Sequence, residues 1–464
     1  MSEPNSNRAL VIGGSIAGLL AARILADHFS QVTLIERDHF PDEPAFRAGV
    51  PQGRHIHLML MRGQQILDQL FPGLTKELEA AGAPRLDLFK ESRTYTAFGW
   101  CPRFSSDFWG ITCSRELLEW GIRQRVAALA NVRVLAGYEA IGLVPNAQKT
   151  GVAGARVRLR SADTHTPGPE EELAADLVVD ASGRDSKAPE WLEALGYARP
   201  PETVINSFPG YASRCYQRPE NFQGDWQLLG ILYKPPEFKR GGVIIPLEGN
   251  RWLVTLGGAA RDYPPTDEAG FLEYARSMPV PHLYDAIKDA QPLSPIYGYQ
   301  RMENRLRHYE RLARWPDGLV IFGDAVCAFN PYYGQGMTVA AQSALALDQC
   351  LREQRQRLPN GDLAGLGRRF QKVLAKITAT PWLMATGEDF RSPETEGGRP
   401  GFLTRLTFGY TDGVKMLTIQ SASAYRIYTE VAHLLKPPAV LFRPGIAFGV
   451  LRQLLTRRKT KAAA

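Results

Sequence analysis

Residues 11–38, VIGGSIAGLLAARILADHFSQVTLIERD, constrain the fold of this chain more than any other stretch. A short apolar run, Leu10–Ile12, ends in Gly13-Gly14-Ser15-Ile16-Ala17-Gly18, and a helix-forming stretch, Leu19–Asp27, follows. A second apolar run, Val32–Ile35, closes on Glu36 and Arg37. Strand, glycine turn, helix, strand and acid at this spacing predict one βαβ unit that binds a dinucleotide. The first glycine permits the tight turn, the middle position brings backbone against a pyrophosphate, and the last lets helix pack closely on strand. The helix N-terminus presents unpaired N–H groups and its positive dipole end to the phosphates. Glu36 stands where a carboxylate accepts hydrogen bonds from ribose hydroxyls. The middle position is Ser15, whose N–H still donates but whose Cβ needs room. Gly13, Gly14, Ser15, Ala17, Gly18, Glu36 and Arg37 are the first set of expected cofactor contacts.

The chain has 464 residues, 44% of them hydrophobic and 22% charged, enough for a large core and two or three structural units. No stretch is long and apolar enough to cross a bilayer, and no signal-peptide core is expected at the N-terminus. Cys101, Cys113, Cys215, Cys327 and Cys350 show no CxxC or metal spacing, so reduced thiols in a cytoplasm are expected. The net charge of +7 is spread along the chain, without a nucleic-acid-binding signature.

Asp42–Gly53 reads as a loop carrying Arg47, and a helical pattern runs from His57 to Leu70. His55 and His57 have poor geometry for a metal, so packing or hydrogen bonding near the cofactor is expected and no metal site is assigned. Thr94–Trp109 is aromatic-rich; Tyr95, Phe98 and Trp100 are either sheet core or a substrate-facing wall. Ser114 is a candidate N-cap for a helix over Glu116–Leu129, and Arg115 at its start reaches a phosphate or caps the surface. Ser161–Glu172 is a polar turn, after which Ala175–Ser186 reads as a buried strand ending in an Asp and a small-residue turn. From about Thr203 to Tyr299 alternating runs, including Trp226 and Trp252 as substrate contacts, predict a mostly antiparallel sheet. Leu319–Phe322 is again a buried strand, ending in Gly323-Asp324-Ala325, and Gly334-Gln335-Gly336-Met337 opens a long helix towards Arg352. The expected division is a cofactor domain from 1–90, 112–200 and 301–355, a substrate domain from 91–111 and 201–300, and a helical region at 356–464.

Three segments, GGSIAG…ER, DASGRDS and GDAVCAFNPYYGQGM, together resemble the FAD-dependent aromatic hydroxylase superfamily. The text RAGVPQGRHIH, YTAFGW, CSRELLEW, VVDASGR, HYERLARWPDGLVIFGDAVCAFNP and YGQGM is similar more closely to the polyether epoxidases of the lasalocid and monensin pathways. The resemblance covers most of Val11–Ala346. It implies an α/β fold: a Rossmann-like domain of the glutathione-reductase type with an inserted sheet domain and a helical C-terminal region. It implies that Asp180 lies near the pyrophosphate and that Gly323 and Asp324 hold the ribityl chain or pyrophosphate. Arg47 and Arg115 would contact phosphate or ribityl, Pro331 would sit by the flavin ring, and Gly334, Gly336 and Met337 would face flavin N1 and O2. Pro331, Gly334 and Gly336 are thus the implied catalytic positions. Relatives commonly carry GDAAH where this chain has Gly323-Asp324-Ala325-Val326-Cys327, so no role passes to that histidine.

The implied activity is a monooxygenase that uses FAD, transient NAD(P)H and O2 through a C4a-hydroperoxyflavin. Its substrate is expected to be a small apolar organic molecule, epoxidised at an alkene or hydroxylated. An aromatic hydroxylase, with His55 or His57 as base, and a flavin-dependent reductase of isoprenoid double bonds are the alternatives. A halogenase would carry a WxWxIP segment, and none is present. A flavin-binding partner protein without turnover is a further alternative. Leu434–Leu455 is apolar but broken by Pro437, Pro438, Arg443 and Pro444, and Arg457, Arg458, Lys459 and Lys461 follow it. This end either packs on the body or touches an anionic membrane peripherally. No motif bears on the oligomeric state.

Overall fold

The computed structural model describes residues 7–160 and 168–462, so the first half of the expected turn at Ser161–Glu172 lies outside the described residues. The main elements in chain order are β1 (Arg8–Ile12), α1 (Ile16–Ala26), β2 (Gln31–Glu36), α2 (Met61–Leu70), β3 (Ser92–Thr96), β4 (Gly99–Trp100), α3 (Arg115–Ala127), β5 (Val132–Ala136) and β6 (Leu177–Asp180). They continue with β7 (Gly210–Gln217), β8 (Leu228–Ile231), β9 (Arg240–Leu247), β10 (Arg251–Gly258), β11 (Tyr297–Tyr299) and β12 (Leu319–Ile321). The helices α4 (Gly336–Arg357), α5 (Leu366–Asp389), α6 (Phe402–Thr418), α7 (Ala422–Ala432) and α8 (Pro444–Ala462) close the chain.

β1 and β2 pair in parallel, and the sheet they begin has the order β12-β6-β1-β2-β5, with every pair parallel. Its strands are near-continuous apolar runs because helices cover the sheet; Val11, Val32, Val178 and Val320 are fully buried. α1 packs against α4. Gly18 explains how close α1 lies to its own turn: a Cβ there would stand 1.7 Å from the Gly13 carbonyl oxygen. Gly13 itself has φ +102°, and a Cβ on it would meet the Ala181 carbonyl oxygen at 2.6 Å, so the turn also fits against the end of β6.

The second sheet has the order β11-β7-β10-β9-β8-β3-β4. It is antiparallel except where β8 runs parallel to β3, so the strand from the first hundred residues joins strands that arrive after residue 210. One face carries Ala212, Tyr216, Ile244, Trp252, Val254 and Leu256 against the helices at Glu268–Arg276 and His282–Ile287. The opposite face looks towards the parallel sheet.

The helix expected from His57 begins at Met61 instead. The His55 ring is held by Ser213 of β7 at 2.8 Å, and the His57 ring bonds the His55 carbonyl, so tertiary contacts keep 55–60 out of helical register. α4 runs five residues beyond the expected Arg352. The C-terminal helices have a core of their own built on Val414, Ala424, Val431, Leu441 and Val450.

Candidate active site

A cavity of about 1360 Å³ extends from the β1–α1 turn, past the start of α4, to the inner face of the second sheet and helices α5–α7. That exceeds the roughly 300–1,000 Å³ of an ordinary small-molecule pocket and leaves room for a cofactor and a second molecule. Gly13, Ser15, Ala17, Glu36, Arg37, Arg47 and Arg115 line one end, and Asp324, Pro331, Gly334, Gly336 and Met337 line the middle. Gly14, Gly18, Asp180 and Gly323 stand behind these and shape the backbone. Buried Asp180 accepts hydrogen bonds from the Ser182 N–H and from the hydroxyls of Ser182 and Ser186, which ties down the turn after β6.

At the first end the charges are organised around Glu119 of α3, which lies within CSRELLEW but is not among the expected cofactor contacts. Glu36 accepts the Gly14 N–H at 2.7 Å and the Asp38 N–H at 3.0 Å. Arg47 is committed to the protein: its guanidinium reaches Glu119 at 2.6 Å, Glu36 and Asp38 at 3.3 Å each, and the Gly14 carbonyl. It braces Glu36, the acid expected to meet a ribose. Arg115 differs. Its Nη2 contacts Glu119 and the Ser15 hydroxyl at 2.8 Å each, while its buried Nη1 has no partner among the described residues. Ser114 caps α3 by accepting the Leu117 N–H, which sets Arg115 on the first turn beside Ser15.

In the middle, the tight turn Gly323–Ala325 after β12 carries Asp324, whose carboxylate makes no hydrogen bond to a described residue. Burial raises its pKa, and Arg184 opposes that rise. Gly334 has φ +65°, a left-handed turn that lets the backbone reverse into α4. The buried side-chain amide oxygen of Gln335 is also without a partner among the described residues. An orphaned guanidinium N–H near the glycine turn, an unpartnered carboxylate and an orphaned acceptor at the opening of α4 fit the phosphates, hydroxyls and ring edge of FAD in that order. Among the described residues no cluster of side chains suits a metal ion.

Beyond Pro331 the cavity holds groups that sequence reasoning missed. Asp389, at the end of α5, is hydrogen-bonded by the Tyr333 hydroxyl at 2.8 Å and by the amides of Asn304 and Asn330 at 2.5 and 3.1 Å. Burial pushes its carboxyl up to about 6 although these bonds, with one from Ser207, pull it down. Tyr332 stacks on Tyr233, two residues past the end of β8, with centroids 4.0 Å apart. The histidines proposed as bases are poor ones: burial pushes His55 down to about 4, aided by Arg54, and His57 down to about 3, aided by Arg115.

The expected aromatic wall divides. Phe98 lines the cavity, whereas Tyr95, Trp100, Trp226 and Trp252 pack on the far face of the sheet. The reason is the two-residue period of a strand. On β3, Ser92, Thr94 and Thr96 face the cavity, which turns Tyr95 away; on β10, Thr255 and Gly257 face it, which turns Trp252 away. Trp226 and Trp252 instead stack on each other at 5.9 Å with Phe222 edge-on to both. The wall that does face the cavity is built from Leu228, Val243 and Ile245, with Met384, Phe408 and Leu441 from the C-terminal region opposite.

No family model matches the chain. Protein Rv3254 of Mycobacterium tuberculosis is 35% identical over 383 residues, covering 82% of this chain and 79% of that protein. Kynurenine 3-monooxygenase of Salinispora arenicola is 26% identical over 361 residues, covering 74% and 72%. Among solved structures the flavin-dependent brominase Bmp2 superposes with a TM-score of 0.62 at 16% identity, covering 88% of this chain and 92% of that one.

Proposed function

The chain belongs to the family of Protein Rv3254 and is an FAD-dependent monooxygenase that uses NAD(P)H and O2, and on that premise we propose that it inserts one oxygen atom into an apolar organic substrate of natural-product type. The observation that carries this reading is the continuity of one cavity from the dinucleotide turn to an apolar chamber between sheet and C-terminal helices. FAD, once reduced and exposed to O2, supplies an electrophilic oxygen atom. Arg115 and Ser15 would hold its pyrophosphate, Glu36 its ribose and Asp324 its ribityl hydroxyls, while the N-terminus of α4 would favour negative charge on the reduced ring. Leu228, Val243, Ile245 and Phe408 would hold the substrate against that ring and exclude water.

Alkene epoxidation, which the polyether-epoxidase resemblance favours, needs only such an apolar chamber. Hydroxylation of an electron-rich ring is supported by a specific observation, the Tyr333–Asp389 pair, because a phenol reacts faster once its proton is removed. The absence of a WxWxIP segment speaks against halogenation. Five unpaired cysteines support a reducing cytoplasm. Among the described residues no helix is long and apolar enough to cross a membrane, and the exposed Phe442, Phe448 and Leu451 support peripheral contact with one. NAD(P)H oxidation by the flavin-loaded protein, followed with and without O2 over a panel of alkenes and arenes, tests the reading. Substrate-stimulated oxidation that requires O2 supports it, and substrate reduction without O2 hands the chain to the double-bond reductases.

A further inference from the structure

Asp389 is a buried carboxylate without a cation. Among the described residues no Lys, Arg or His stands within ion-pair distance of it; its side-chain partners are hydrogen-bond donors. Two of those donors cannot turn round. Asn304 Oδ1 accepts the Asn330 backbone N–H at 2.8 Å, and Asn330 Oδ1 accepts the Tyr332 N–H at 3.1 Å, so both amide NH2 groups are aimed at Asp389. The other donors are the hydroxyls of Ser207 and Tyr333, and both line the cavity with Asp389. Tyr333 follows Pro331 by two residues and precedes Gly334, so it stands on the loop that opens α4. A carboxylate kept only to fasten α5 to this loop would be replaceable by a neutral acceptor at lower desolvation cost. A phenol that donates to a carboxylate keeps lone pairs of its own oxygen for a further donor.

We propose that Tyr333 and Asp389 form the proton acceptor of this active site and that the substrate is a hydroxyarene or enol whose O–H bonds Tyr333 Oη. This deepens the monooxygenase reading and rests on it. The substrate O–H breaks and its proton bonds Tyr333 Oη, while the Tyr333 proton passes to Asp389 Oδ1. The substrate is left as its oxyanion, with its electron pair pushed towards the carbon that takes up oxygen, and Asp389 is left neutral. No electron is gained or lost in this step, and the proton returns to water when the product leaves. The titratable groups that face Asp389 are the phenols of Tyr333, Tyr211 and Tyr233, all raised well above their ordinary value by burial. Glu388, next along α5, is held by Lys415 at 2.6 Å and Arg391 at 3.0 Å.

The test uses flavin-loaded wild type, Asp389→Asn and Tyr333→Phe, each checked for retained flavin spectrum. The ligands are 2-naphthol and its ether 2-methoxynaphthalene. Binding is read from the perturbed flavin absorbance between pH 5 and 8. The relay predicts that wild type binds naphthol about tenfold more tightly above pH 6 than below, the worth of one hydrogen bond to an ionised acceptor. The ether should show no such step, and both variants should lose it. Equal steps for naphthol and ether, a step that persists in Tyr333→Phe, or no step in wild type overturns the relay. Turnover separates this proposal from the reading beneath it. O2-dependent oxidation of alkenes but of no hydroxyarene overturns the relay and leaves monooxygenation standing; no O2-dependent oxidation of either removes both.

Discussion

The two arginines expected to share one duty at the cofactor have different ones, and the difference can be measured. Arg47 sits among three buried carboxylates, and Arg47→Ala leaves them uncompensated, at about 3–5 kcal/mol of stability. Arg115 keeps one N–H for a phosphate, and Arg115→Ala should weaken FAD roughly ten- to a hundredfold with a smaller loss of stability. Urea unfolding and FAD titration of both variants check this; equal effects on both quantities contradict it. Asp389 makes a signed prediction. Its carboxyl is raised in the folded chain, so the native state holds its proton to higher pH than the unfolded chain does. Its contribution is therefore present below about pH 4 and lost as pH rises towards 6. Against Asp389→Asn, wild type should lose melting temperature between about pH 4 and 6 and run parallel above 7. Asp389 went unread because its Tyr333 partner lies 56 residues away; Glu119 sits four residues from Arg115 inside CSRELLEW, but its Arg47 partner lies 72 residues away and no local spacing marks that pair.

At the scale of elements, the βαβ unit was legible because each of its parts is local. Glycines, apolar runs and Glu36 fall within one stretch, and a Cβ at Gly18 would stand only 1.7 Å from the Gly13 oxygen. Gly18→Ala should push α1 off β1, cost about 3 kcal/mol, the upper range for overpacking, and lower bound flavin; unchanged melting temperature and flavin content contradict this packing. The aromatic strands were less legible. Tyr95, Trp100, Trp226 and Trp252 announce burial, but which face of a sheet points to a cavity is decided by the layer packed on each side. The helical pattern from His57 misled for a similar reason, since the Ser213 contact to His55 overrides the local periodicity.

Taken whole, the molecule places its chemistry where three structural layers meet: the parallel sheet supplies the nucleotide end, the second sheet one wall, and the C-terminal helices the opposite wall. The last of these was only coarsely read as helical, because its helices pack mainly on one another and carry no motif. Phe442, Phe448 and Leu451 remain 54%, 70% and 54% exposed on it, near the basic Arg443. If this end rests on a membrane, the chain should co-sediment with anionic vesicles, less so in high salt, and Phe448→Ser should weaken it; equal recovery with anionic and neutral vesicles contradicts the contact. The central claim is oxygen transfer. The most direct measurement is mass spectrometry of the product formed from a hydroxyarene by the flavin-loaded enzyme with NAD(P)H under ¹⁸O2. One ¹⁸O atom per product molecule is the predicted result, and a product without ¹⁸O contradicts the account.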